Sequence, residues 1–144
     1  SGSTMTRLKT KLKAGILALI GLFGTASVSL ADSLWDHNGS LMRLEANGEE
    51  RAFYYFQPRS VLQAAGVGSG TLLFDGYRDG RDYYGRSRVF SKHCRGTPHA
   101  YQVTGSVVTE TKVVLTGRRQ IFNKCRPTGS YTTDELVFTY VGQL

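Results

Sequence analysis

Apolar residues recur two apart along most of this chain, in runs that come in pairs around a turn. Met42, Leu44 and Ala46 share one face of an extended segment, with Arg43 and Glu45 on the other. After Asn47-Gly48, Ala52, Tyr54 and Phe56 alternate with Arg51, Phe53 and Tyr55. Alternation on both sides of an N-G dipeptide predicts a hairpin with a type I′ turn. Its second strand is apolar on both faces, which predicts a central or covered position. Strands over 71–77 and about 83–91 repeat the pattern around Asp79-Gly80. Further strands are expected at about 100–106, 111–118 and 134–141, with a strand or extension at 120–124. Their turns are expected at Thr109-Glu110, near Gly117, and at Pro127-Thr128-Gly129-Ser130. The one helical turn expected lies at 60–65, after Pro58. Earlier, Asp36-His37-Asn38-Gly39-Ser40 reads as a turn, with the single tryptophan, Trp35, packing as a plug. Short strands at this spacing, without a sustained helical period, predict an all-β fold. It should be a small antiparallel β-barrel or β-sandwich of about 7–8 strands, in one domain spanning 32–144.

The first 31 residues follow another pattern. Residues 1–4 precede Met5 and read as a cloning remnant. Arg7, Lys9, Lys11 and Lys13 then precede an apolar run from Ala14 to Phe23, and Ser29-Leu30-Ala31 puts small residues at −3 and −1 of a cleavage point. Basic, apolar and small-residue regions in that order predict a Sec-type signal peptide over 5–31, and so a bacterial periplasmic or secreted protein. The competing reading is a retained anchor. The run is shorter than the roughly 20 apolar residues of a spanning helix, so no stable membrane span is expected after cleavage.

Removing that leader changes the charge. The whole chain carries 18 basic and 11 acidic residues, but residues 32–144 carry 14 and 11, a net of +3 rather than +7. The basicity that suggests nucleic acid belongs largely to the leader, and an exported protein has little occasion to meet nucleic acid. Mild basicity suits an anionic cell-envelope polymer or an acidic protein surface. Cys94 and Cys125 are the only cysteines, and in an oxidising compartment an isolated pair predicts one disulfide. That pairing leaves no thiolate for a metal site with His93 or His99, and no cofactor is implied.

Eleven of the 14 basic residues in 32–144 are arginine, and they concentrate on the 71–94 hairpin among tyrosines. Arginine grips carboxylate or phosphate with a planar fork, and tyrosine offers flat apolar surface with a hydroxyl. The candidate ligand- or partner-binding residues are therefore Tyr77, Arg78, Arg81, Tyr83, Tyr84, Arg86 and Arg88. The plainer alternative is an exposed strand kept soluble by charge. Asp36, His37 and Ser40 offer an acid, a base and a hydroxyl, but close neighbours seldom meet in triad geometry and no G-x-S-x-G elbow is present. Asp134 and Glu135 read as solvated. The glycines at 66–70 run into a strand rather than a helix, which argues against a phosphate-binding loop.

WDHNGS, GTLLFDG, YYGRSRVF and the cysteine pair together resemble small exported proteins of alphaproteobacteria that have no assigned function. The resemblance spans most of 34–140 and implies export without bringing any site residues. Periplasmic lysozyme inhibitors are comparable as small disulfide-bearing β-barrels, by fold analogy alone. The expectation is an exported, non-catalytic binding module for an anionic envelope component or protein partner. The alternatives are an inhibitor or accessory protein of a cell-wall enzyme such as a lysozyme, and an enzyme whose site is not visible in sequence.

Overall fold

Eight strands run alternately up and down, each hydrogen-bonded antiparallel to the next in sequence, and the last returns to pair with the first. This computed structural model describes residues 32–144, so the leader and remnant expected at 1–31 lie outside the described residues. The strands are β1 (Ser33–His37), β2 (Ser40–Asn47), β3 (Glu50–Gln57), β4 (Leu72–Asp79), β5 (Asp82–Val89), β6 (His99–Thr109), β7 (Lys112–Asn123) and β8 (Arg126–Gln143). Closure rests on β1 and β8, where Trp35 pairs with Tyr140 and Ser33 with Gln143. Of the two all-β architectures expected, the closed barrel is the one formed.

Strand alternation sorts the side chains cleanly. Met42, Leu44, Phe53, Phe74, Tyr83, Val103, Val113, Leu115, Leu136 and Phe138 all point inward and are buried. Their rings form a column along the barrel. His37 stacks on Phe138 at 4.5 Å, Phe138 on Phe53 at 4.0 Å, and Phe74 and Tyr83 continue it at 6.4 and 6.1 Å. Phe53 also meets the edge of Trp35, so the tryptophan is a core residue of a strand. On the outer side of β3, Tyr54 lies beneath the Arg43 guanidinium, 5.3 Å from its ring centre.

At four inward positions where the backbone of the next strand comes too close for a Cβ, the residue is glycine. Gly76 of β4 pairs with Gly85 of β5, and a Cβ on either would collide with the other's strand. Gly105 and Gly117 likewise face the backbone of adjacent strands, at Val114 and Gln102. The turn expected near Gly117 does not form, because Gly117 lies mid-strand at such a position.

Three other boundaries differ from the sequence reading. Residues 33–37 are a strand, and only Asn38 and Gly39 turn, both at positive φ (51° and 86°). Gly48-Glu49 and Gly80-Arg81 are the central pairs of their hairpins, with glycine first at φ 61° in each. That is the position where a II′-type turn needs glycine, so the N-G and D-G signals mark the turns one residue early. Finally, β7 and β8 turn at Lys124-Cys125, and 127–130 lie inside β8.

The two ends of the barrel are unlike. One end has three tight turns, while the other carries the 58–71 and 90–98 connections beside the β1–β2 and β7–β8 turns. The first of these connections includes the 3-10 helix Ser60–Ala65. Arg95 donates to the Gln63 carbonyl, joining the two loops, and the expected Cys94–Cys125 disulfide ties the second loop to the β7–β8 turn.

Two changes test these supports. Gly85→Ala should destabilise the protein by about 1–3 kcal/mol or more in urea unfolding, because backbone and not a flexible side chain fills the space. Replacing both cysteines with serine should cost about 3–4 kcal/mol, the loop-closure value for a separation of 31 residues, read by the same measurement.

Candidate functional site at the barrel mouth

The hairpin residues expected to bind together do not share one surface. Tyr83 is 2% exposed and lies inside the barrel, where Arg51 and Arg78 converge on its hydroxyl. Arg78 also donates to the Gly80 carbonyl, and Arg81 donates to the carbonyls of Val107 and Val108. These arginines satisfy turn carbonyls at the tight end. Outside, Tyr77 and Tyr84 stack at 5.6 Å with Arg86 exposed beside them, while Arg88 is ion-paired with Asp75. The seven residues therefore divide between a closed barrel end and an outer stripe, while Arg88, ion-paired with Asp75, also lines the depression at the other end. Tyr83 is removed from any surface role by burial, because its position shares parity with Ser87 and the core rather than with Tyr84.

At the opposite end the column finishes at His37, beside a depression of about 380 Å³. Its floor and walls are the last inward-facing residues of the strands, joined by the long loops. His37 of β1 and Ser40 of β2, paired across the Asn38-Gly39 turn, both face it. Tyr55 ends the inward row of β3, and Arg59 reaches in from just beyond that strand. Across from them stand Tyr101 of β6, Arg119 of β7 and Asp134 of β8. Leu62, Leu73, Phe90 and Leu136 supply the apolar wall.

The hydrogen bonds divide this mouth into an occupied side and an open side. On the occupied side, Asp134 Oδ2 accepts from both Arg119 Nε and the Tyr101 hydroxyl (3.1 Å). Burial first, and the Asp134 charge second, push the Tyr101 phenol up to about 12, so it stays a donor throughout the physiological range. Asp134, read from sequence as solvated, is thus half-buried and engaged; its partners lie on neighbouring strands. On the open side, His37 Nδ1 donates to the Val137 carbonyl at 3.0 Å, which fixes the tautomer and leaves Nε2 as an acceptor. Burial holds His37 below its ordinary value, and nearby Arg59 acts in the same direction. Asp36 points outward and is exposed, so a backbone carbonyl and not that carboxylate orients the imidazole. Ser40 accepts the Arg59 backbone N–H, leaving its own proton to donate. Among the described residues, no carboxylate lies within ion-pair distance of the Arg59 guanidinium.

A second depression, of about 360 Å³, lies on the outer wall between Glu45, Glu50, Tyr54, Asp75 and Tyr77. Two of its three carboxylates are already paired, Glu45 with Arg43 and Asp75 with Arg88. The mouth is the better candidate because its polar groups come from six strands and still have bonding capacity. Among the described residues there is no cluster of three or more potential metal ligands, and no helix long and apolar enough to cross a membrane. His99 stacks on Phe122 at 3.7 Å instead, beside the disulfide.

No protein-family model, curated protein or solved structure matches the chain.

His37 gives this end a pH dependence. Its pKa is lower in the folded state than in the unfolded chain, so the unfolded state binds the extra proton first as pH falls. Its contribution to stability should be fully present above about pH 6.5 and decline as pH drops toward the folded value. In urea titrations at pH 8 and pH 5, His37→Gln should lose less stability on acidification than the unchanged protein. An equal loss would show that His37 does not carry the effect.

Proposed function

We propose that the protein is an exported, non-catalytic binding module for an anionic ligand of the cell envelope, taken at the barrel mouth. The observation that carries this reading is the Arg59 guanidinium. It stands uncompensated over a depression where His37 Nε2 and the Ser40 hydroxyl have no further partner. A planar cation at the edge of a half-desolvated concavity binds carboxylate or phosphate more strongly than the same group on an open strand. The disulfide fits an oxidising compartment, and together with the signal-peptide pattern read in the sequence over 5–31 it supports export to the periplasm or beyond.

A second reading, a protein partner bound on the outer wall, is favoured by the Tyr77–Tyr84 stack. Both rings are 45% exposed, and Arg86 lies beside them. This arrangement suits an inhibitor or accessory role toward an acidic surface. It does not use the mouth.

Amide NMR shifts during titration with inorganic phosphate and acetate separate the two sites. Mouth binding should move His37, Ser40 and Tyr101, weaken with salt, and fall about tenfold or more in Arg59→Gln, the loss of one charged hydrogen-bonding partner. Arg86→Ala, on the outer stripe and away from the mouth, should leave it unchanged. Shifts confined to the outer stripe, or indifferent to Arg59→Gln, would overturn the mouth as the anion site.

A further inference from the structure

We infer that the mouth accepts a single acidic sugar ring, its carboxylate held by Arg59 and its hydroxyls by the Arg119–Asp134 pair. This rests on the mouth being the anion site, and it follows from what the opposite wall offers. Arg59 extends from the end of β3, and Arg119 stands on β7, four strands away around an eight-stranded closed sheet. Both residues line the opening, from strands on opposite sides of the closed sheet. Only one of them is uncompensated, because Arg119 is tied to Asp134.

A paired cation and carboxylate has no net charge to draw in a second ion, but it still offers donors and acceptors to a neutral group. Asp134 uses Oδ2 for both of its side-chain partners, so Oδ1 is available as an acceptor. The Arg119 bond uses Nε, leaving the terminal nitrogens of that guanidinium as donors. Adjacent hydroxyls on a ring carry one donor and two acceptor sites each, which satisfies such a pair without charge. His37 Nε2 and Ser40 Oγ–H repeat the same acceptor-and-donor couple on the near side.

Size and wall chemistry narrow the class further. A volume of about 380 Å³ lies at the low end for organic ligands, so one ring fits where a chain does not. Tyr55 and Phe90, in edge-on contact at 6.2 Å, give an aromatic wall for the C–H face of a pyranose. A fatty acid is disfavoured, because the ring column fills the barrel where a tail would go. Inorganic phosphate or a simple carboxylate would use Arg59 and leave the Arg119–Asp134 wall unsatisfied.

Isothermal titration of the protein with sodium glucuronate, glucose and sodium acetate decides this. Glucuronate should bind at least about tenfold tighter than either of the others, each of which lacks one charged or polar contact set. Arg59→Gln, at an exposed position where folding is not at stake, should bring glucuronate down to the level of glucose. Acetate binding as tightly as glucuronate, with Arg59 dependence kept, overturns the sugar assignment while the anion site stands. Binding of none of the three, or binding indifferent to Arg59→Gln, overturns both.

Discussion

The interior width of an eight-stranded barrel is the constraint from which the rest of this structure follows. Such a barrel is just wide enough for the side chains of its two sides to meet. Here the meeting is made by a stack of rings: His37, Phe138, Phe53, Phe74 and Tyr83 occupy the axis in sequence. Aromatic residues of this size leave no room for a Cβ where the backbone of the next strand also comes close. Those inward positions are therefore glycine, at Gly76 against Gly85 and again at Gly105 and Gly117. Ring and glycine positions are two expressions of one volume limit.

The mouth lies where the column finishes, at His37. At the tight end, Arg51, Arg78 and Arg81 turn their guanidiniums onto carbonyls and on Tyr83, so that end is closed by hydrogen bonds. At the other end the last inward layer is polar, and the strands are joined by longer segments that stand off from the axis. The same residue type thus does opposite things at the two ends. Arginine near a tight turn finds backbone acceptors within reach. Arginine after Pro58 projects its charge over an opening with no such acceptor, as Arg59 does.

Much of the fold was legible in the sequence, because a half-buried sheet writes its register as alternation. Met42 and Leu44, or Tyr83 and Ser87, reveal their face without further information. Closure was less legible: nothing local in Trp35 or Tyr140 says that they are neighbours. The 33–37 strand is masked in the sequence because Asp36-His37-Asn38-Gly39-Ser40 has turn composition throughout, although only two of those residues turn. The site was legible least of all. Charge density drew attention to the hairpin at 71–94, where outward arginines are the ordinary state of a sheet. The informative signal was parity: Arg119 and Asp134 fall on the inward rows of Leu115 and Leu136, where a charge needs a partner or a ligand. Reading parity at strand ends, rather than counting charges, would have found them. Tyr55 and Tyr101 sit on such rows as well.

The β1–β8 ladder has a consequence for how the chain assembles. Every other ladder joins neighbouring strands and can zip locally, but Ser33 must wait for Gln143. Pairing across so long a separation is slow, and loop-closure entropy grows with the length spanned. Until β8 arrives, β1 presents an unpaired edge, a template for joining another chain. The hazardous species is therefore the nearly complete polypeptide, with seven strands formed and its seam still open. The interval between first and last strand, more than the depth of the folded minimum, sets how readily copies of this protein entangle.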